Sequence, residues 1–428
     1  MAKILLKQTL VLNNSAEVES IDIAIENDKI YQVGKIDESW KPDQIIDCTD
    51  KIALPGFVNT HTHAAMTLLR SYADDMKLMD WLGNKIWPIE AKMKRKDIYW
   101  GSMLAITEMI KTGTTTFADM YADMEQVAEA VAETGIRAVL SRGIIGINPN
   151  GETALGENIA LFNNYNNTAD GRIKVMFGPH APYTCPPDFL KKVIAAAKEC
   201  RAEIHMHLSE TAGEVADCFK QYGKSPIALM EETGLFECGV LAAHCVHVSA
   251  DDIAIMKKHN VRVAHNPISN MKLASGIAPV QQMLEQGICI GLGTDGTSSN
   301  NNLDMMEELR MVALLHKVNA MDPLVIPAKT AIELATTCGA QAVGLKDELG
   351  VISPGYKADI ILLSMNDTRW YPRHNTASLV AYSANSSAVD TVIVNGKILL
   401  KNGKLTTIDE ERVIYEANKC AKNLTSIS

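Results

Sequence analysis

The chain has 428 residues, 47% of them apolar, and a formal charge of −10. That length exceeds one average domain and can bury a sizeable core; the acidic balance, with no dense Lys/Arg run, argues against nucleic acid or an anionic membrane surface as a partner. Nine cysteines, an odd number with no CxxC pair, read as reduced thiols of a cytoplasmic protein rather than a disulfide framework. Only three consecutive strongly apolar residues, Ile4 to Leu6, precede the next charge at the N-terminus, too few for a signal peptide, and no apolar run approaches the roughly 20 residues of a membrane span.

Residues 1–53 read as short strands. Segments 4–12, 20–26 and 29–33 alternate β-branched with polar residues, and Asn27-Asp28 supplies a hairpin turn. From Gly56 the pattern changes to strands alternating with amphipathic helices, the mark of a parallel α/β fold. Eight strands are expected, at 57–61, 114–118, 138–142, 173–177, 203–207, 240–243, 261–264 and 289–292. Helical periodicity lies between them, at 98–112, 125–134, 188–200, 250–259 and 279–286, and continues at 303–318, read as packing on the barrel. Eight such units predict a (β/α)8 TIM-type barrel; a doubly wound sheet is the alternative, but no Gly-rich nucleotide turn follows a strand. Near the C-terminus β texture returns, with a strand after Pro354-Gly355 and a hairpin around Asn395-Gly396. The expected division is residues 1–54 plus 354–428 as a small composite β-sandwich and 55–353 as the barrel.

Barrel chemistry sits at the C-terminal strand ends. The chain puts His61 and His63 there on the first strand, Asp119 on the second, Arg142 on the third, His180 on the fourth, and His207 with Glu210 on the fifth. His244 and His247 follow the sixth, His265 and Asn266 the seventh, Asp295 the eighth. Residues i and i+2 of a strand share a face, so His61 and His63 project side by side as two imidazoles must to share a metal ion. A lone histidine is ordinarily a satisfied core or surface residue. This pair, with His207 and Asp295 on other strand ends, reads instead as a ligand set suited to Zn²⁺, or to Fe²⁺ and Mn²⁺. Glu210 reads equally well as a helix N-cap and as a group beside the metal site; Asp295-Gly296 is also a common Asx turn. His205, on the His207 face of its strand, is read as structural.

These features resemble the amidohydrolase superfamily, and within it the 5-methylthioadenosine/S-adenosylhomocysteine deaminases. The motifs that carry the resemblance are Pro55-Gly-Phe-Val-Asn-Thr-His-Thr-His, Gly178-Pro-His-Ala-Pro-Tyr, His205-Met-His-Leu-Ser-Glu-Thr, Ala243-His-Cys-Val-His, His265-Asn-Pro-Ile-Ser-Asn-Met-Lys-Leu and Gly293-Thr-Asp-Gly-Thr-Ser-Ser-Asn-Asn. The resemblance runs from about residue 2 to about residue 420. It implies one divalent metal per subunit, held by His61, His63, His207 and Asp295. The strand that carries a carboxylated lysine in binuclear relatives here ends in Gly178-Pro-His180, which favours a single ion. It further implies substrate contacts from Glu90, Arg142, His180, Glu210 and Asp295. A second arginine found in some members is replaced near Ala154, leaving open what holds a 5′ substituent.

The implied chemistry is hydrolytic deamination of an adenine nucleoside. Asp295 takes the proton of a metal-activated water, Glu210 protonates the ring nitrogen, and His244 steadies the attacking oxygen. Glu90 is expected on the ribose hydroxyls. A guanine, cytosine or triazine-type aminohydrolase is the alternative within the same class, and a catalytically silent scaffold the alternative outside it. The partner is thus a small molecule; the sequence leaves open whether copies of the chain associate.

Overall fold

The computed structural model describes residues 3–12 and 18–425, so parts of both ends of the expected β unit (residues 1–2, 13–17 and 426–428) lie outside the described residues. Eight strands form one parallel sheet in sequential order: β6 (Phe57–Thr62), β7 (Thr114–Tyr121), β8 (Arg137–Ile144), β9 (Ile173–Pro179), β10 (Ile204–Leu208), β11 (Val240–His244), β12 (Arg262–His265) and β13 (Ile290–Leu292). All eight overlap the segments expected from sequence. Each crossover carries helix, which a parallel connection requires.

Helix Pro187–Cys200 shows why the crossovers form. Proline opens it, Leu190, Val193, Ile194 and Ala197 bury one stripe at helical spacing, and Arg201 closes it in the left-handed region at φ +52°. The barrel seam between β13 and β6 is closed by a side chain. Asn59 accepts from the Thr294 N–H (3.0 Å) and donates to Thr294 Oγ1 (2.8 Å), and the Asp295 N–H reaches the His61 carbonyl at 2.9 Å. Gly293 makes that approach feasible, because a Cβ there would stand 2.8 Å from the His61 nitrogen.

The chain ends build the second sheet. β1 (Lys3–Leu12), β2 (Val18–Glu26), β3 (Lys29–Gly34), β4 (Gln44–Asp47) and β5 (Lys51–Pro55) join β14 (Ile360–Ser364), β15 (Val389–Val394), β16 (Lys397–Lys401) and β17 (Lys404–Leu405) in the order β17-β16-β15-β14-β5-β1-β2-β3, with β4 also on β1. β1 pairs with β4 through Ile4–Lys7 and with β5 through Leu10–Val11. The sandwich is therefore one continuous mixed sheet curled on itself. Its halves share a core of Leu6, Ile23, Ile25, Ile360, Leu362 and Ile393, and the Ile30 N–H bonds the Tyr356 carbonyl where they meet.

A buried ion pair joins the two sheets at the N-terminal end of the barrel. Arg137, on β8, donates Nε and Nη2 to the two oxygens of Asp359 at 2.9 and 3.0 Å, and Nη2 also reaches Asn395 Oδ1 at 3.1 Å. Past the last hairpin the chain is helical, at Glu410–Thr425. Ala417, Cys420 and Leu424 pack there with Leu69, Trp81 and Ile86, behind the segment that carries Glu90. No helix among the described residues is long and apolar enough to cross a membrane.

Candidate active site

The eight strand ends open into a cleft of about 1020 Å³, including its solvent-filled mouth. His63, His207, Glu210, His244 and Asp295 form its floor; Glu90, Tyr121, Arg142, His180 and Tyr183 stand on its walls with Trp81, Leu82 and Trp87. His61 lies just beneath, fully buried.

The hydrogen atoms of the imidazoles follow from their partners. His63 Nδ1 lies 2.7 Å from the Met120 carbonyl and His207 Nδ1 2.7 Å from that of His180, so both donate there and carry a bare Nε2. For His61 the chain of inference is longer. Ser141 Oγ donates to the Asp119 carbonyl at 2.9 Å and so accepts from His205 Nδ1 at 3.4 Å; His205 Nε2 is then bare and accepts from His61 Nδ1 at 2.8 Å. His61 Nε2 is therefore bare as well. It is buried and has no hydrogen-bond partner. His205, read from sequence as structural, orients this ring.

These lone pairs converge. His63 Nε2 is 3.3 Å from His207 Nε2 and 3.3 Å from Asp295 Oδ1, which is 3.5 Å from His61 Nε2. Three bare nitrogens and a carboxylate oxygen with no hydrogen between them repel one another unless a cation fills the space. The donor set, three imidazoles and one carboxylate, suits a divalent ion of the zinc type, and the partners holding Nδ1 of each ring are the outer supports such sites use.

Asp295 is held in place by groups that sequence did not assign. Ser269 Oγ and Ser299 Oγ donate to its Oδ2 at 2.7 and 2.8 Å, and the Gly296 N–H to its Oδ1 at 2.8 Å. Both serines lie in motifs quoted above, but only the fold turns them towards this carboxylate. Burial raises the Glu210 carboxyl, with His244 opposing and Asp295 adding to the shift. His244 stands beside Glu210, with Nε2 3.9 Å from Glu210 Oε2 and Nδ1 2.9 Å from Asn270 Oδ1. Burial pulls His244 down, but the carboxylates of Glu210 and Asp295 prevail and raise it.

Glu90 accepts from the Tyr121 hydroxyl at 2.5 Å, and burial raises its carboxyl. His180 is pushed down to about 3 by burial, with the neighbouring imidazoles adding to it. Arg142 reaches the cleft while its Nε is paired with Glu157 at 2.7 Å. Ala154 is buried in helix Gly151–Tyr165 and does not line the cleft.

A parallel barrel whose C-terminal rim gathers three bare imidazoles and a carboxylate is the architecture of a metal-dependent hydrolase. The chain belongs to the amidohydrolase family, whose model matches residues 52–399, and so to a family of metal-dependent enzymes. It is 52% identical over 421 residues to a 5-methylthioadenosine/S-adenosylhomocysteine deaminase of Carboxydothermus hydrogenoformans, covering 97% of each chain. A protein of the same name from Dictyoglomus thermophilum is 53% identical over 422 residues, with 99% of each covered. Among solved structures, an adenosine deaminase from Xanthomonas campestris with bound zinc superposes with a TM-score of 0.95 at 31% identity, covering 100% of this chain and 99% of that one.

Proposed function

We propose that this protein hydrolytically deaminates adenine nucleosides, with 5′-methylthioadenosine and S-adenosylhomocysteine as the substrate class, giving the inosine analogues and ammonia. The reading rests on one observation above the rest: the floor of the cleft sets the Asp295 carboxylate 3.3–3.5 Å from the bare Nε2 atoms of His63 and His61, with Glu210 as a second buried carboxyl 3.9 Å from His244. Two carboxyls with separate duties, one to accept a proton and one to donate it, are what this hydrolysis needs. The two half-identical relatives and the zinc-containing adenosine deaminase support the same substrate class.

His61, His63, His207 and Asp295 would hold one divalent ion, with Zn²⁺ the best match to the donors. When bound, that ion supplies a Lewis acid that lowers the pKa of water towards neutrality. Asp295 accepts the proton of the attacking water. Glu210 donates to the ring nitrogen beside the amine and so makes carbon six electrophilic. His244 hydrogen-bonds the incoming oxygen and offsets its developing charge. Glu90 takes the ribose hydroxyls, while His180 and Arg142 border the remaining polar groups of the nucleoside.

Residues 55–353 form the catalytic unit in this reading, and residues 1–54 with 354–428 the composite β unit. Nine unpaired thiols are in keeping with a cytoplasmic setting, and the −10 charge with a small-molecule partner rather than nucleic acid or membrane. The test is absorbance-monitored conversion of adenosine analogues to inosine analogues, with and without a chelator. Turnover lost on chelation and restored by Zn²⁺ is the expected result; no ammonia from any adenine nucleoside by the metal-replete protein would overturn it.

A further inference from the structure

Glu214 lies outside the chemistry assigned above, does not line the cleft, and is nine-tenths buried. It stands in the first turn of helix Ala212–Tyr222, whose N-cap Thr211 accepts from the Glu214 N–H at 3.1 Å. A glutamate in that position ordinarily folds back onto the N–H of the capping residue itself. This one reaches further. Its Oε1 accepts from the Ser209 N–H at 2.9 Å and its Oε2 from the Glu210 N–H at 2.7 Å.

The backbone it grips is unusual. Ser209 is fully buried in the left-handed region at φ +53°, and its carbonyl accepts from the His247 N–H at 2.9 Å. A non-glycine residue in that conformation is retained only where its surroundings fix it. The gripped turn spans the step from His207 to Glu210, so it sets where the Glu210 carboxyl points relative to the floor of the cleft.

We propose that Glu214 is a positioning residue, clamping the Ser209–Glu210 backbone so that the Glu210 carboxyl is held at the reacting ring. The inference rests on the role given to Glu210 above. Both oxygens are occupied by separate N–H groups, so Glu214→Gln keeps one acceptor and sets an amide N–H against the other donor. Glu214→Asp, one methylene shorter, keeps the charge but cannot span both.

With 5′-methylthioadenosine as substrate, Glu214→Gln should lose about 10²-fold in kcat, the cost of a misplaced catalytic group, with KM and bound metal near wild type. Glu214→Asp should fall between the two. Adding Glu214→Gln to Glu210→Gln should cost no more than about twofold further, because the clamp would then hold a group that no longer donates. Wild-type kcat in Glu214→Gln, or in Glu214→Asp where the Gln variant fails to fold, would overturn the inference. So would losses that multiply in the double variant, or that track metal content. A wild-type protein that releases no ammonia sinks the deaminase reading; wild-type turnover left intact by the Glu214 variants sinks only this one.

Discussion

The two ends of the barrel both bury charge, and they do so in opposite ways. At the N-terminal end every strong donor and acceptor of the Arg137–Asp359 pair has a partner: Asp359 also accepts the Asn395 N–H at 2.7 Å, and Arg137 also reaches the Gly171 carbonyl. At the C-terminal rim His61 Nε2 has none, and His244 and Asp295 sit in the left-handed region at φ +71° and +62°. Backbone of that kind costs on the order of 1–3 kcal/mol per residue. A buried ion pair whose hydrogen bonds are completed within the chain holds two sheets together; bare nitrogens turned on a carboxylate oxygen at 3.3–3.5 Å are shaped for a cation.

Substitutions on each end sharpen that contrast. The largest effect belongs to Asp295→Asn, expected to reduce deamination by about 10⁴-fold and to weaken metal retention; unchanged rate and metal content would break the contrast at its centre. Glu210→Gln should keep the metal yet lose about 10³-fold in rate, and wild-type turnover would remove Glu210 from the mechanism. At the other end, Arg137→Met leaves a buried carboxylate unpaired and should lower unfolding stability by about 3–5 kcal/mol, read by denaturant titration, with kcat and bound metal unaltered under native conditions. If that variant lost metal instead, the two ends would be coupled. Smallest is Glu90→Ala, expected to raise the KM for nucleosides about tenfold, the loss of one hydrogen bond to a charged group, without changing metal content.

How far the sequence could be read follows the same division. The strands of the barrel were legible because alternating β and helical periods are local, and the rim histidines because barrel topology fixes which end of a strand carries chemistry. What closes around them was not. Ser269 and Ser299 meet on Asp295 only after β12 and β13 are side by side. The reach of Glu214 past its own N-cap depends on the turn at Ser209, which no residue type announces. Helix Glu410–Thr425 has a regular but thin apolar stripe, Val413, Ala417, Cys420 and Leu424, and only its packing partners make that stripe a buried face. The sandwich was legible as β texture at both chain ends; its continuity through β5 and β14 depends on a pairing between residues about 300 positions apart.

That pairing has a consequence for biosynthesis. β5 is covered on one edge by β1 and on the other by β14, whose first residue is Ile360. At ribosomal speeds of about 5–20 residues per second, its second edge waits roughly 15–60 s for a partner. Throughout that interval the nascent chain presents Ile52, Ala53 and Leu54 on an open strand, the kind of edge that invites pairing between neighbouring chains. Yield in a cell-free translation should therefore depend on chaperone supply until the ribosome has passed Ser364.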